Sequence, residues 1–148
     1  MFDRYYDELE VGDSRSFRGV TITDAHILGF AGITGDHYVL HTDDEYAKTT
    51  PFGQRVAHGL LVLSCGAGLI PLEPGRVQAL LGLDDVRWTA PVFVGDTIHP
   101  EMEVVAKKDQ GRGGVVTVQE TIKKQTGEVV CCCTLQALVA RRPSDDAT

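Results

Sequence analysis

The chain has 148 residues, of which 14 are basic and 21 acidic, and its formal net charge at neutral pH is −7. This length suits a single domain, and the acidic balance argues against a surface for nucleic acid or anionic membrane, which needs clustered Lys and Arg. No apolar run approaches the ~20 residues that cross a bilayer, and the first residues show no apolar signal-peptide segment. We therefore expect one domain over residues 1–140 and a polar, frayed C-terminal tail over residues 141–148.

The beginning of the chain predicts a strand followed by a short helix. Residues 16–22 can form the opening strand. Thr23 is a typical N-cap for a helix over residues 25–31, with Asp24 in its first turn. The sequence Thr-Gly-Asp-His at residues 34–37 then ends this helix.

A second short helix is predicted near residue 42. Thr42 and Glu45 have the spacing of a capping box, in which each side chain bonds to the backbone N–H of the other residue. Asp43 and Asp44 place negative charge at the positive end of this helix, so we expect them to be solvated first-turn carboxylates.

The main helix is predicted over residues 57–70, which are apolar almost all round. A helix that is apolar on every side must be enclosed by the rest of the protein. Gly66, Ala67 and Gly68 would let strands approach its backbone closely, and the prolines that follow would end it.

The remainder of the chain predicts antiparallel strands joined by turns that contain glycine. Apolar and polar residues alternate along them, as in a sheet with one buried face. One buried helix with about five strands gives an α+β fold in which a curved antiparallel sheet wraps around the helix. The long predicted strands cover residues 77–88, 97–106, 115–123 and 129–140.

The four cysteines favour a reducing compartment. Cys65 stands alone, whereas Cys131, Cys132 and Cys133 are consecutive. Adjacent strand residues point to opposite faces, so the triplet does not suit a disulfide framework, and it lacks the CxxC pairs of zinc sites. We expect buried, reduced thiols and a cytoplasmic protein.

Asp36 and His41 are the first candidates for catalysis. A carboxylate and an imidazole that converge on one water molecule form a general acid–base pair. Five extended residues span ~17 Å, so these side chains meet only if the loop bends back, which Gly35 permits. The alternative is that Gly35-Asp36 is an ordinary turn.

His37 and His41 also have the i, i+4 spacing of paired metal ligands, with Asp36 beside them. Zinc hydrolases place such a pair on a helix together with a glutamate as general base. Gly35 precedes the pair here and the glutamate is absent, so we expect no metal.

His58 and Gly59 begin the apolar helix, whose first N–H groups lack internal partners and carry partial positive charge. An oxygen could approach the unshielded Gly59 N–H as in an oxyanion hole, or the glycine only permits a tight start of the helix. Ser64 lies further along, and its hydroxyl would bond either to a helix carbonyl or to a catalytic carboxylate. It lies outside any Gly-x-Ser-x-Gly sequence, which disfavours a serine nucleophile.

In this order, these segments resemble the MaoC-like dehydratases, which are (R)-specific enoyl-CoA hydratases of the hotdog fold. The family motif runs from an aromatic residue through Gly-Asp to Asn-Pro-aliphatic-His and then to Ala. The resemblance covers about residues 8–140, and the chain departs from the motif at Tyr38-Val39, where the family usually has Asn-Pro. The positions that carry the resemblance are Phe30, Gly35, Asp36, His41, Ala47, His58, Gly59, Ala90, Pro91, Gly95 and Asp96.

The resemblance implies an enzyme that reversibly adds water to a trans-2-enoyl-CoA and gives an (R)-3-hydroxyacyl-CoA. Asp36 and His41 would position and activate the water, the Gly59 N–H would take the thioester oxygen, and Ser64 would support the aspartate. The CoA thioester is the substrate, and no metal or organic cofactor is required. The family also implies fatty acid metabolism and a homodimer or dimer of dimers in which two sheets join edge to edge, with the acyl tunnel along the interface.

Several residues are candidates for substrate binding. Tyr38, Phe52 and Trp88 are candidates for lining the acyl pocket, although core packing is the simpler interpretation for Phe52 and Trp88. Arg55 and Arg87 would contact CoA phosphates, or serve as surface salt-bridge partners. The complete set of substrate-binding candidates is Tyr38, Phe52, Arg55, His58 and Arg87.

Two other functions stay open. A hotdog thioesterase would use the same helix N-terminus to polarise the carbonyl but would release CoA. A catalytically silent acyl-binding subunit would keep the fold without the chemistry, although it has no need of both Asp36 and His41. The acyl chain itself is not specified by these patterns.

Overall fold

A computed structural model describes residues 1–143 of the chain. Its centre is one antiparallel sheet whose strands follow the order β1-β4-β5-β6-β3, with β2 also paired to β4. The four long strands confirm the sequence prediction, and the bounds of β3 and β6 are the predicted ones. The strands are β1 (Ser14–Ser16), β2 (Val20–Thr21), β3 (Val77–Trp88), β4 (Thr97–Asp109), β5 (Gly113–Lys124) and β6 (Val129–Ala140).

The opening strand predicted over residues 16–22 is wrong in part, because it is split into β1 and β2. Ser16 pairs with Glu101 of β4, and Val20 pairs with Ile98 of β4. Three residues therefore lie between these two positions on the β1–β2 side but only two on β4, so the segment has one extra residue that cannot pair. Phe17 donates its N–H to the carbonyl of Pro100 at 3.0 Å, and a proline has no N–H to donate in return. The ladder is therefore interrupted at this proline.

Within residues 1–143 the chain forms a short 3-10 helix (Tyr6–Glu8) and four α-helices: α1 (Asp24–Thr34), α2 (Val39–Thr42), α3 (Asp44–Lys48) and α4 (Gly59–Gly68). Thr23 is the N-cap of α1 as predicted, and Gly35, with φ of 79°, ends the helix three residues later than expected. The predicted capping box of Thr42 is wrong. Asp43 is the N-cap of α3, and its Oδ1 accepts from the N–H groups of Glu45 at 2.9 Å and Tyr46 at 3.0 Å.

The apolar helix α4 has ten residues and is ~15 Å long, shorter than predicted. A Cβ on Gly66 would lie 2.4 Å from Ile122 Cδ1, so the glycine at this position allows the sheet to approach the helix, as predicted. The same prediction for Gly68 is wrong, because a Cβ there would have no atom within 4 Å. The predicted enclosure is also wrong for a single chain. Leu60 is 59% exposed, and Ser64 is exposed on the same stripe.

The core has two hydrophobic clusters, of which one surrounds the N-terminal residues and the other surrounds α4. All four cysteines are free, and burial raises the pKa of Cys131 to about 11 and that of Cys133 to about 12. Glu120 is fully buried on the inner face of β5, opposite Cys133 of β6. No helix within residues 1–143 is long and apolar enough to span a membrane.

The beginning of the predicted C-terminal tail is ordered rather than frayed. The Arg142 N–H donates to Asp7 Oδ1 at 2.9 Å, and the guanidinium of Arg141 pairs with Asp109. These bonds attach residues 141 and 142 to the body of the domain. Residues 144–148 of the predicted tail lie outside the described residues.

Candidate active site

Three polar side chains from three segments meet at the N-terminus of α4. Asp36 follows α1, His41 lies on α2, and His58 directly precedes α4. One ligand atom from each of these side chains lies within 4.8 Å of the others. The structure therefore brings Asp36 and His41 together, as the sequence predicts, and it adds His58 to the cluster.

A tight turn after α1 directs Asp36 toward this cluster. Gly35 takes a left-handed conformation that glycine adopts without a steric penalty. The Asp36 N–H donates to Thr34 Oγ1 at 3.2 Å, and Asp36 Oδ1 accepts from the Tyr38 N–H at 3.3 Å. Gly35-Asp36 is thus a turn, and the turn is what bends the chain back toward His41.

The ring of His41 is fixed by a backbone carbonyl. Its Nδ1 lies 2.6 Å from the carbonyl oxygen of Val56. A carbonyl oxygen only accepts, so Nδ1 carries the proton of this bond. In neutral His41 the lone pair is therefore on Nε2, which makes this nitrogen able to take a proton from water.

Arg55 holds the segments around His41 together. Its Nε donates to Asp44 Oδ1 at 2.7 Å, its Nη2 to Asp24 Oδ1 at 2.6 Å, and its Nη1 to the His41 carbonyl at 3.4 Å. The bond to Asp44 is the main reason that the pKa of Arg55 is raised. The expectation that Arg55 binds CoA phosphates is therefore wrong in this structure, because its guanidinium is engaged with α1, α2 and α3.

His58 is buried behind the other two residues, with 2% of its surface exposed. Its Nε2 lies 3.0 Å from the Asp36 carbonyl oxygen and 4.0 Å from Asp36 Oδ2. Its ring stacks on that of His41, with centroids 3.9 Å apart and an angle of 29° between the planes. His58 does not line the cavity described below, so the expectation that it contacts substrate is not supported.

A cavity of about 450 Å³ opens beside His41 and the first turn of α4. Its wall is apolar except for His41, Thr89 and backbone groups. Phe52 and Trp88 both line it and are 42% and 46% exposed, so their interpretation as core residues is wrong. The lining residues are His41, Phe52, Val56, Ala57, Gly59, Val62, Trp88, Thr89, Ala90, Pro91, Val92 and Val130.

Gly59 lies at the start of α4 on the cavity wall, under the indole of Trp88. Trp88 Nε1 donates to the Gly59 carbonyl at 2.7 Å, and a Cβ on Gly59 would lie 2.8 Å from the indole ring. This contact requires a glycine and gives that residue a packing reason in addition to any role of its N–H. The sequence offered no signal for the contact between positions 59 and 88.

The remaining candidates lie away from the cavity wall. Ser64 Oγ donates to the Leu60 carbonyl at 2.7 Å, so the expected support of Asp36 by Ser64 is wrong. The Tyr38 ring centroid is 5.9 Å from that of His41, but Tyr38 does not line the cavity. Arg87 is exposed on β3, and within residues 1–143 it forms no ion pair.

The spacing of His37 and His41 does not produce a pair of metal ligands in this structure. His37, one of the two histidines with metal-ligand spacing, is exposed and lies outside the cluster. His41 Nδ1 and His58 Nε2 each face a backbone carbonyl, which removes both from the donor set. In neutral His41 the free nitrogen Nε2 can act as a base toward a water molecule that the nearby Asp36 carboxylate holds by accepting its hydrogen bond.

Comparisons with known proteins identify the family of this chain. The "MaoC like domain" family matches residues 8–126. The 3-hydroxyacyl-thioester dehydratase Z of Mycobacterium tuberculosis is 32% identical over 128 residues, which cover 81% of this chain and 82% of that protein. Protein MaoC of Klebsiella aerogenes is 40% identical over 99 residues, which are 66% of this chain but only 30% of that longer protein.

Among solved structures, the R-hydratase PhaJ1 of Pseudomonas aeruginosa superposes with a TM-score of 0.80 at 29% identity, over 93% of this chain and 86% of that one. The fold is the hotdog fold, as expected from the resemblance. With the family match over most of its length, the chain belongs to the MaoC-like dehydratase family.

Proposed function

We propose that the protein catalyses the reversible addition of water to a trans-2-enoyl-CoA, giving an (R)-3-hydroxyacyl-CoA. The observation that carries this proposal is the convergence of Asp36 and His41 beside the N-terminus of α4, at the wall of an apolar cavity. Names of relatives at moderate identity, such as 3-hydroxyacyl-thioester dehydratase, support the same class of reaction.

The chemistry follows from the groups present. His41 Nε2 takes a proton from a water molecule that Asp36 holds, and the water oxygen forms the bond to C3 of the enoyl group. Negative charge develops on the thioester oxygen, where the Gly59 N–H at the positive end of α4 can stabilise it. The proton is then returned to C2, so one water is consumed and the pair regains its starting state. Acid–base chemistry of this kind needs no cofactor.

The cavity favours a hydrocarbon acyl chain. The side chains that line it carry no cation to pair with a second carboxylate on the substrate, and most are apolar. A dicarboxylic acyl group would be buried there without a partner, which is costly. We propose a hydrocarbon acyl group without a second carboxylate, with Arg87 as the remaining candidate for the CoA phosphates.

The strand β3 and the helix α4 both expose apolar side chains. The outer edge of β3 is unpaired within the described residues, and Leu80, Leu81 and Leu83 on this strand are exposed. Leu60 of α4 and Trp88 at the cavity wall are exposed as well. We propose that two copies join through β3 and α4, which would bury these leucine side chains.

A panel assay tests the proposed reaction. Purified protein is mixed with trans-2-enoyl-CoAs of increasing length and with a dicarboxylic example, and the loss of enoyl absorbance is followed together with free thiol. We expect loss of absorbance without release of thiol, and a 3-hydroxyacyl product of R configuration by chiral analysis. Thiol release would favour the thioesterase, and inactivity on the whole panel would favour the silent subunit.

A further inference from the structure

His58 is the N-cap residue of α4, yet its side chain makes no capping bond to the helix. N-cap residues are usually Ser, Thr, Asp or Asn, because their side-chain oxygen accepts from a helix N–H. The start of the helix therefore does not explain an imidazole at this position. Its burial is also unfavourable in itself, since His58 Nδ1 has no hydrogen-bond partner within the described residues.

The contacts of His58 are instead with the two residues of the proposed proton-transfer pair. Its Nε2 faces the Asp36 carbonyl oxygen at 3.0 Å, and because a carbonyl only accepts, Nε2 is the donor. One face of its ring packs on His41, and Phe30 contacts it with centroids 5.0 Å apart. His58 thus contacts both Asp36 and His41.

We propose that His58 is a positioning residue, which holds the Asp36 backbone through Nε2–H and fixes the plane of the His41 ring by stacking. This inference rests on the proposed hydratase function. It assigns His58 a defined tautomer, protonated on Nε2 and unprotonated on Nδ1. It also assigns no substrate contact to His58, since the cavity wall contains His41 but not His58.

Two substitutions separate the two contacts. His58→Phe keeps a flat ring against His41 and Phe30 but has no N–H for the Asp36 carbonyl. His58→Gln keeps an N–H donor near the position of Nε2 but loses the ring. We expect kcat to fall about 100-fold in His58→Phe, because a displacement of about 1 Å in a catalytic group has effects of this size, while KM stays within about twofold.

His58→Gln should recover part of the kcat lost in His58→Phe, because the Asp36 carbonyl again has a donor. His37→Gln is the matched control, since His37 is an exposed histidine in the loop between α1 and α2, and its replacement should leave kcat and Tm unchanged. Wild-type kcat in His58→Phe would overturn the inference. A raised KM with unchanged kcat would also overturn it, because that result indicates direct contact with substrate.

Nitrogen NMR of the imidazoles in the wild-type protein keeps the inference testable even if both variants unfold. The His58 signals can be assigned through contacts of its ring protons with Phe30 and His41. We expect the neutral ring of His58 to carry its proton on Nε2. A neutral ring with its proton on Nδ1 would overturn the assignment.

The same measurements distinguish this inference from the proposed function. If wild-type protein hydrates no enoyl-CoA, the proposed function fails, while the NMR spectrum still decides how His58 is bonded. If wild-type protein is an active hydratase and His58→Phe retains its kcat, only the positioning role fails.

Discussion

His41 Nδ1 donates to the carbonyl oxygen of Val56 over 2.6 Å, and this bond connects α2 to the segment that leads into α4. The bond fixes which nitrogen of the ring is free. His41 therefore has two separate roles in this account. Nδ1 stabilises the fold through its bond to Val56, whereas Nε2 takes part in proton transfer.

Replacement of His41 by Asn should separate these contributions. The Asn side-chain amide can donate to the Val56 carbonyl in place of Nδ1, but it has nothing in place of Nε2. We expect His41→Asn to keep a Tm close to that of wild type and to lose about 10²- to 10⁴-fold in kcat. Thermal unfolding and the enoyl-CoA assay measure the two effects.

His41→Ala provides the comparison for this prediction. It removes both nitrogens and leaves the Val56 carbonyl without its partner, which should cost about 1–3 kcal/mol of stability. Equal Tm values for His41→Asn and His41→Ala would show that the bond to Val56 contributes nothing to the fold. Retained activity in His41→Asn would remove Nε2 from the mechanism.

Trp88 is the single tryptophan of the chain and lines the cavity, so its fluorescence should report binding directly. An acyl chain that enters the cavity excludes water from the exposed part of the indole. We expect a saturable blue shift of the emission during titration with butyryl-CoA, which cannot react by hydration. Free CoA, which lacks the acyl group, is the control, and an unchanged spectrum at concentrations that calorimetry shows to be saturating would place the acyl group elsewhere.

Glu120 should make the stability of the protein fall as the pH rises. Burial on the inner face of the sheet raises its pKa above the ordinary value of 4.5. The folded state then binds a proton more tightly than the unfolded state, so stability is lost as the pH rises from about 4.5 toward the raised pKa. Glu120→Gln removes the titrating group, and its Tm should exceed that of wild type by a margin that grows as the pH rises above about 4.5.

The matched control for this titration is Glu103→Gln, because Glu103 is an exposed glutamate on the neighbouring strand β4. Its Tm should follow that of wild type across the whole pH range. A Tm difference for Glu120→Gln that does not change with pH would indicate that Glu120 affects packing but not proton binding.

The proposed assembly predicts a change in mass after a single substitution. Wild-type protein should sediment with twice the chain mass of 16.1 kDa, and Leu80→Lys should sediment as a single chain, because it places a charge in the proposed β3 interface. Val11→Lys is the control, since Val11 has a similar exposure of 61% against 59% for Leu80. A wild-type protein that sediments as one chain would contradict the assembly.

The long strands could be predicted from the sequence because their signals are local. Alternation of apolar and polar residues and the glycine-containing turns fix β3 and β6 to the residue. The opening strand was harder, since its interruption depends on Pro100, a residue on a partner strand far away in the sequence. The enclosure of α4 could not be judged from one chain, because the stripe that carries Leu60 and Ser64 faces outward.

The candidate site also contains residues that the sequence predicts and contacts that it does not. Asp36 and His41 are five positions apart in one short segment, so their residue types and the family motif identify them from the sequence. The bonds of Arg55 to Asp24 and of His58 to the Asp36 carbonyl join residues 31 and 22 positions apart, and they exist only after folding. The role of Ser64 as support for Asp36 rests on its position in the family motif. In the structure Ser64 lies on the exposed side of α4, and its hydroxyl bonds to the Leu60 carbonyl. The cytoplasmic location and the absence of a metal stay predictions.

Hydration of trans-2-butenoyl-CoA in ¹⁸O-labelled water, by wild-type protein and by Asp36→Asn, tests most directly whether this pair activates water. Asn at position 36 can still accept from the Tyr38 N–H, so the variant should fold with an unchanged Tm. The account predicts one ¹⁸O on C3 of an intact CoA thioester with wild-type protein, and turnover reduced by orders of magnitude with Asp36→Asn. Wild-type turnover in the folded variant, or ¹⁸O in a free carboxylate with release of CoA, would contradict it.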